Sequence, residues 1–393
     1  MGLPAAKLPL TKEKAVPREQ RIIRTPGGSP TSRPLNGLLP EAAFLRTLCL
    51  ERKRAERSRK LFVLMLLEPG TRNQDGQGIN GKALPAVLSS IRETDIAGWY
   101  SGDSVLGVIF AELGEAPKEA VLCALRAKIT SVLRRALTAE QADQVQLSFF
   151  CFPEDWGERG VEPGKISSLY PDLLQQEEAK KFARIVKRTM DIAGSAVALV
   201  FLSPVFLVIA LAIRLTSPGP ILFRQKRIGR YGKAFTFLKF RSMYTANDPK
   251  IHVEYVKWFI KGMARSAASE GKNGSIYKIT KDPRVTSVGR FLRKTSLDEL
   301  PQFFNVLKGE MSLVGPRPPI AYEWEAYDVW HRRRLLEAKP GITGLWQVNG
   351  RSRLRFDEMV RLDLQYAQGW SIWLDIQLLL RTPKAVWYGE GAY

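Results

Sequence analysis

The chain has 393 residues, 45% of them hydrophobic, and its 60 Lys and Arg against 39 Asp and Glu give a formal net charge of +21. That length admits two or more domains with a buried core, and the positive excess calls for an anionic partner: nucleic acid, phospholipid headgroups or a phosphorylated substrate. Three scattered cysteines, Cys49, Cys123 and Cys151, fit a reducing compartment and give no disulfide framework or metal set, and two histidines, His252 and His331, leave little for a zinc site or a Ser-His-Asp relay, so any chemistry falls to carboxylates and arginines.

Residues 1–40 lack the continuous apolar core of a signal peptide, and their Pro, Gly, Lys and Arg content reads as a basic disordered tail. From 41 to 152 the pattern is that of a mixed domain. A periodic helix runs from about Ala43 to Arg59 into a strand from Leu61 to Leu67. A hairpin within Ile91–Phe110 turns at Ser101-Gly102-Asp103, and a helix from about Ala116 to Leu137 precedes a strand from Gln144 to Phe152. This order, with the spacing of Arg92-Glu93-Thr94-Asp95 through Val108-Ile109-Phe110, resembles a GGDEF domain, a cyclase-type βαββαβ module. The turn departs from that family's pattern: Ser104 stands where its acidic metal-binding residue belongs. A catalytically inactive relative is therefore expected, used for dimerisation, regulation or nucleotide sensing.

Residues 153–181 read as a linker, rich in Pro, Gly and acidic side chains, that runs into a charged amphipathic helix over Glu177–Lys187. Ile192 to Ile213 then gives 22 residues without a charge. At about 1.5 Å per residue an unbroken helix of that length reaches roughly 33 Å, enough for a hydrocarbon core of about 30 Å. Ser203-Pro204 at its centre predicts a kink, since Pro204 removes a backbone donor and Ser203 can offer its hydroxyl to a freed carbonyl. Lys187 and Arg188 precede the stretch, and Arg214, Arg224, Lys226 and Arg227 come after it, so the positive-inside tendency draws both ends to the cytoplasm. A re-entrant helix over 190–215 fits; a straight spanning helix is the alternative. Ser217-Pro218-Gly219-Pro220 ends the segment.

The densest run of motifs is Thr295-Ser296-Leu297-Asp298-Glu299-Leu300-Pro301-Gln302, then Asn305 through Leu313, then Gly315-Pro316-Arg317-Pro318. Asp298 and Glu299 are adjacent, so on a helix they point about 100° apart and take separate roles. A carboxylate is a competent phosphoryl acceptor, and an acyl phosphate divides one transfer into two easier displacements. Arg317, stiffened by prolines, and Arg293, five residues before Asp298, are candidate phosphate clamps because a guanidinium fork meets two phosphate oxygens at once; Arg293 reads equally as a surface helix residue. Lys239 and Arg241, on the strand-like Lys239-Phe240-Arg241-Ser242-Met243, face either the site or headgroups. Trp346, Gln347, Asn349 and Arg351 come after Pro340-Gly341 and frame a nucleotide or acceptor, with core packing an equal reading for Trp346.

Together with Lys187-Arg188 and Asp191, Ser203-Pro204, Phe223-Arg224-Gln225 and Pro340-Gly341-Ile342-Thr343-Gly344-Leu345-Trp346-Gln347, these motifs make residues 182–393 resemble the bacterial sugar transferases, the monotopic phosphoglycosyl transferases. The carboxyl-terminal residues from Trp370 to Tyr393 are similar to the hexose-1-phosphate transferases that initiate exopolysaccharide and O-antigen synthesis. The resemblance implies a UDP-sugar donor, undecaprenyl phosphate as acceptor, Asp298 as nucleophile and Mg2+ ligand, Glu299 as its supporting partner, ping-pong kinetics and release of UMP. It also implies a mixed α/β cytoplasmic catalytic domain with an inserted helical hairpin, on the cytoplasmic face of the bacterial inner membrane. Longer relatives carry four spanning helices ahead of the catalytic part, where this chain has the cyclase-like module.

A polyprenyl tail stays in the bilayer while its phosphate meets a soluble sugar nucleotide, which places the nucleophile at the interface. Trp258, Phe259, Trp370, Trp373 and Trp387, interleaved with Lys and Arg, suit headgroup depth, though some belong to the core. Anionic lipids are thus expected partners, a homodimer is expected, and nucleic acid is not, since no zinc-finger spacing, aromatic RNA-binding signature or recognition-helix pattern stands out. A membrane-associated regulatory scaffold of polysaccharide synthesis is the competing reading, and the identity of the sugar stays open.

Overall fold

The computed structural model describes residues 38–68, 80–102, 104–114, 116–153, 168–244, 260, 284–350 and 354–387. Residues 1–37 of the expected tail, Trp258, Phe259 and Arg351 lie outside them, whereas Leu39 near its end bonds to Ala97 and Trp99.

The helix, strand, hairpin, helix and strand read from the sequence occur in that order, with a helix α2 between β1 and β2 that the sequence reading did not place: α1 (Glu41–Ser58), β1 (Phe62–Glu68), α2 (Asn80–Ser90), β2 (Ile96–Ser101), β3 (Val105–Phe110), α3 (Lys118–Ala136), α4 (Ala139–Gln144) and β4 (Gln146–Phe152). The four strands form one antiparallel sheet in the order β2-β3-β1-β4, the split arrangement of a βαββαβ unit. β1 is buried along six of its seven residues because strands flank it on both sides and helices cover it. α1 buries Phe44, Leu48, Arg52 and Ala55, a stripe at helical spacing. Phe44 sits in a notch made by Gly98 and Gly107, paired across β2 and β3; a Cβ on Gly107 would lie 2.4 Å from its ring. The short α4 was not expected. It starts because Thr138 accepts from Gln141 N while the Gln141 side chain accepts from Thr138 N, a capping box that reopens a helix after the break at Leu137.

The expected linker is shorter than its composition implies, for α5 (Pro171–Ala179) begins at a proline suited to a first helical turn. The chain then turns at Lys180, so the single amphipathic helix expected over Glu177–Lys187 is two helices. α6 (Lys181–Phe201) and α7 (Ser203–Thr216) meet at Leu202 with a bend of 61°. The kink expected at Ser203-Pro204 is a break between two helices: proline occupies the start of the second, and Ser203 Oγ donates to Val200 O at 2.8 Å, as expected of its hydroxyl. No single helix among the described residues is long and apolar enough to cross a membrane; the bent pair together has that length and composition. Its outer face is apolar and open, with Val200, Phe201, Leu207 and Leu215 each more than two-thirds exposed.

The sequence motif around Lys187 fixes α6 to the rest. Asp191 Oδ1 accepts from Leu313 N at 2.9 Å and Ser312 Oγ at 3.0 Å, Arg188 donates to Val306 O and Leu307 O, and Lys187 Nζ lies 2.6 Å from Asp375 Oδ2. These three residues act as anchors. Beyond α7 the chain forms a hairpin of β5 (Leu222–Ile228) and β6 (Ala234–Phe240), then α8 (Ser287–Thr295), a 3-10 turn Leu297–Glu299, α9 (Gln302–Lys308), and a parallel pair of short strands, β7 (Ser312–Val314) and β8 (Gly341–Thr343). Short helices α10 (Ala321–Glu325), α11 (Val329–Arg332) and α12 (Arg334–Glu337) join those strands; α13 (Leu345–Asn349), α14 (Phe356–Gln368) and α15 (Ile372–Trp387) complete the chain.

Residues from Leu39 onward form one compact unit. Leu336 of α12 shares a core with Phe44 and Leu48 of α1, with Phe62 and Phe152 of the amino-terminal sheet, and with Leu169, Tyr170 and Leu173 at the start of α5. Arg52 is fully buried there: Nη1 donates to Leu169 O, both terminal nitrogens reach the Asp172 carboxylate at 2.8–3.0 Å, and its plane lies 4.3 Å from the Tyr170 ring centroid.

Candidate active site

Asp298 and Glu299 occupy the 3-10 turn between α8 and α9 rather than a regular helix. The turn exists because Ser296 takes the left-handed conformation (φ 57°) at the end of α8 and redirects the chain. Two contacts register it against the hairpin. Asn305 of α9 receives Leu238 N at 3.1 Å and donates to Thr236 O at 2.7 Å, gripping β6 on both sides, while Arg293 Nε of α8 donates to Ser242 Oγ at 2.9 Å. Lys239, near the end of β6, is thereby held with its Nζ 2.9 Å from Glu299 Oε1 and 3.7 Å from Asp298 Oδ2.

One lysine between two carboxylates splits them electrostatically. Burial pushes the Asp298 carboxyl up, and Lys239 and Arg293 offset only part of that rise. Burial also opposes ionisation of Glu299, yet the charge and hydrogen bond of Lys239, with Arg317 and Arg227 behind it, bring that carboxyl down to about 2. Glu299 is therefore a fixed anion, and Asp298, 7% exposed, is the carboxylate short of positive charge. A divalent cation bound through a single carboxylate and substrate phosphate oxygens, the habit of Mg2+, fits that deficit. Asp298 is the residue that could hold such an ion; no group of three or more His, Cys, Asp or Glu suited to a metal occurs among the described residues.

The other predicted residues divide. Arg317, exposed between two buried prolines, and Gln347 of α13 line a pocket beside Glu299, and Arg293 reaches the field of Asp298. Trp346 is buried and Asn349 exposed. Arg241 lies just past β6, 4% exposed, and its Nη2 donates to Ser217 O and Ser217 Oγ, both at 2.7 Å, bracing the Ser217-Pro218 turn, while its Nε and Nη1 are buried without a hydrogen-bond partner among the described residues. Of the interfacial aromatics, Trp373 is 64% exposed, whereas Trp370 is half-buried with Nε1 donating to Asp375.

Two residues of the pocket escaped the sequence reading. Arg227 of β5 sat among the flanking cations of the apolar segment, and β5 does not alternate in burial, so a period of two gave no signal for it. Gln302 comes four residues after Asp298 and lines the same pocket.

Residues 182–389 match the family described as bacterial sugar transferase, a span of more than half the chain. The chain belongs to the bacterial sugar transferase family. Within it, this sugar transferase is 46% identical over 209 residues to the galactosyl transferase CpsE of Streptococcus agalactiae, covering 53% of this chain and 43% of that protein. It is 44% identical over 233 residues to the undecaprenyl-phosphate galactose phosphotransferase of Salmonella typhimurium, covering 56% and 44%. The chain thus spans less than half the length of these two relatives. Among solved structures the GGDEF domain of DgcB from Caulobacter crescentus, in complex with c-di-GMP, aligns over 42% of this chain and 95% of that one at 16% identity, with a TM-score of only 0.24.

Proposed function

We propose that this sugar transferase moves a hexose 1-phosphate from a UDP-sugar to undecaprenyl phosphate through a covalent aspartyl-phosphosugar on Asp298, starting an exopolysaccharide or O-antigen type glycan. The observation that carries the reading is the unequal dyad: a buried carboxylate short of countercharge beside one clamped by Lys239. The activities for which CpsE and the Salmonella phosphotransferase are named support it.

In the first step an Asp298 oxygen attacks the sugar-bearing phosphorus, and the bond from that phosphorus to the bridging oxygen breaks. UMP leaves with that oxygen and the electron pair. An oxygen of the polyprenyl phosphate then attacks the same phosphorus, the acyl phosphate bond breaks, and Asp298 regains its carboxylate. No proton has to be removed from an anionic acceptor, so Glu299 serves best by holding Lys239 in place. Bound Mg2+ would supply positive charge to phosphate oxygens at Asp298. Arg317 and Arg293 orient the phosphates.

The bent pair α6–α7 is the membrane element in this reading, dipping into one leaflet with its exposed Val200, Phe201 and Leu207 in lipid and both ends on the cytoplasmic face, beside anionic headgroups. Labelling of a Val200→Cys variant from the periplasmic side would exclude it. The amino-terminal sheet domain serves as an inactive GGDEF relative in regulation or dimerisation; Ser104, whose Oγ donates to Ser101 O, supplies no carboxylate at the turn. A monomer in size-exclusion chromatography that also ignores guanine nucleotides would remove that role.

Asp298→Asn is expected to abolish UMP release from UDP-glucose and UDP-galactose, and wild-type enzyme trapped with donor alone should gain the mass of one phosphohexose on Asp298. Undiminished UMP release by the Asn variant would end the proposal.

A further inference from the structure

Arg317 stands in the run Pro316-Arg317-Pro318-Pro319, and its prolines have no backbone N–H, so the loop is held chiefly through its carbonyls. All the proline carbonyls are taken. Pro316 O accepts from Gly341 N at 2.8 Å, Pro318 O from Arg227 Nη1 at 2.9 Å, and Pro319 O from Ile228 N at 2.9 Å. Arg227 and Ile228 end β5, and an isolated antiparallel bridge between Arg227 and Ile320 continues the contact. Arg227 is itself fixed: its Nε donates to Gln225 Oε1 at 3.1 Å, and its guanidinium carbon lies 4.0 Å from the Phe237 ring centroid. It backs the loop at 5% exposure, so a shift of the end of β5 carries Arg317 with it.

The end of β5 runs straight into the hairpin tip. There Gly229 N donates to Lys233 O at 2.8 Å, and Tyr231 takes a left-handed conformation (φ 59°, ψ 26°) that a residue with a Cβ resists, so contacts from outside the hairpin have to favour it. Those contacts come from α5 and the amino-terminal half. Tyr231 Oη donates to Glu177 Oε1 at 2.9 Å, Arg230 pairs with the same carboxylate, and the Arg230 guanidinium lies 4.5 Å from the Tyr231 ring centroid. The tyrosine also packs against the core that Phe44, Leu48 and Leu336 share. Glu177 precedes residues 182–389, the span that matches the family. The loop of Arg317 is thus held, at one remove, by a segment outside the transferase domain.

We propose that Glu177 and Tyr231 are positioning residues for Arg317: through the end of β5 they set the loop from which Arg317 meets the donor, so the amino-terminal half acts on donor affinity and not on the chemical step. The inference rests on the transfer reading. It is tested with the full chain in nanodiscs containing undecaprenyl phosphate, by UMP release from UDP-glucose or UDP-galactose, whichever the wild type cleaves. Glu177→Ala should raise KM for the donor fivefold or more and leave kcat within twofold. Glu177→Gln, which keeps an acceptor for Tyr231 Oη, should fall between. Tyr231→Ala should act as Glu177→Ala does, and Tyr231→Phe, which keeps the ring in the core, should recover part of the loss. Adding Glu177→Ala to Arg317→Ala should change KM by less than twofold, since a residue that acts through Arg317 then has nothing left to position. Amide exchange at Ile228, whose N–H is held by Pro319 O, should quicken at least tenfold in Glu177→Ala. Thermal melts certify each variant's fold; if Tyr231→Ala fails to fold, the Glu177 variants and Tyr231→Phe carry the test. KM effects that multiply in the double variant, or an unchanged KM in folded Glu177→Ala, overturn the inference. Wild-type protein that releases no UMP, with Ile228 exchange still quickened by Glu177→Ala, overturns the transfer reading and leaves the coupling of α5 to the loop standing; unchanged exchange there overturns both.

Discussion

Lys239 separates two neighbouring carboxylates into different states, and that separation has a measurable pH signature. In the proposed transfer Asp298 attacks only when ionised, and Lys239 is the main charge opposing the rise that burial imposes on it. Lys239→Met removes the opposition, so the Asp298 carboxyl rises further and the acid limb of kcat/KM for UMP release should move to higher pH; a limb that stays put would assign it to another group. Glu299 makes no limb of its own above about 2. Its lowered carboxyl instead contributes stability that is present above the unfolded value near 4.5 and lost as pH falls towards about 2. At this scale the dyad and Arg317 were legible because they lie in one motif-dense run. Arg227 was not: in Phe223-Arg224-Gln225-Lys226-Arg227 three cations look alike, and only pairing with β6 decides which one is buried.

Short elements position the site, and they were the least visible in the sequence. β7 and β8 have three residues each, too few for a period, and they pair in parallel across a long chain separation. Their crossing permits no side chain: Gly341 N donates to Pro316 O at 2.8 Å, and a Cβ on Gly341 would lie 2.0 Å from Gly315 N. Gly341→Ala should therefore destabilise the protein by about 1–3 kcal/mol or more, as overpacking does, and lower UMP release because Arg317 lies two residues beyond Gly315; an unchanged denaturant midpoint would contradict the crossing. The Pro340-Gly341 turn was readable, its partner was not. By contrast, the break at Ser203-Pro204 was legible to the residue, since proline chemistry is local.

The whole molecule joins its two halves through a buried ion pair. Arg52 reads in the sequence as one cation of the run Arg52-Lys53-Arg54, yet it is the one that faces Asp172 and Tyr170. Breaking a fully buried pair costs about 3–5 kcal/mol; Asp172 retains 29% side-chain exposure, so Arg52→Met should cost less, about 2–3 kcal/mol after solvent screening. The wild type is expected to melt in one transition and Arg52→Met in two, while a variant that melts as the wild type does would show the halves to be independent. The order of strands and helices in the amino-terminal half was legible from alternation and turns; the docking was not, because it depends on Leu336 and Asp172, distant in the chain from α1. Nine-residue α5 has a second grip as well: Glu177 binds Arg230 and Tyr231 at the tip of the β5–β6 hairpin, whose strands carry Arg227 and Lys239. One short rod thus touches the amino-terminal sheet unit through Asp172 and the hairpin that carries Arg227 and Lys239 through Glu177, so a displacement of the rod is expected to be felt at both ends.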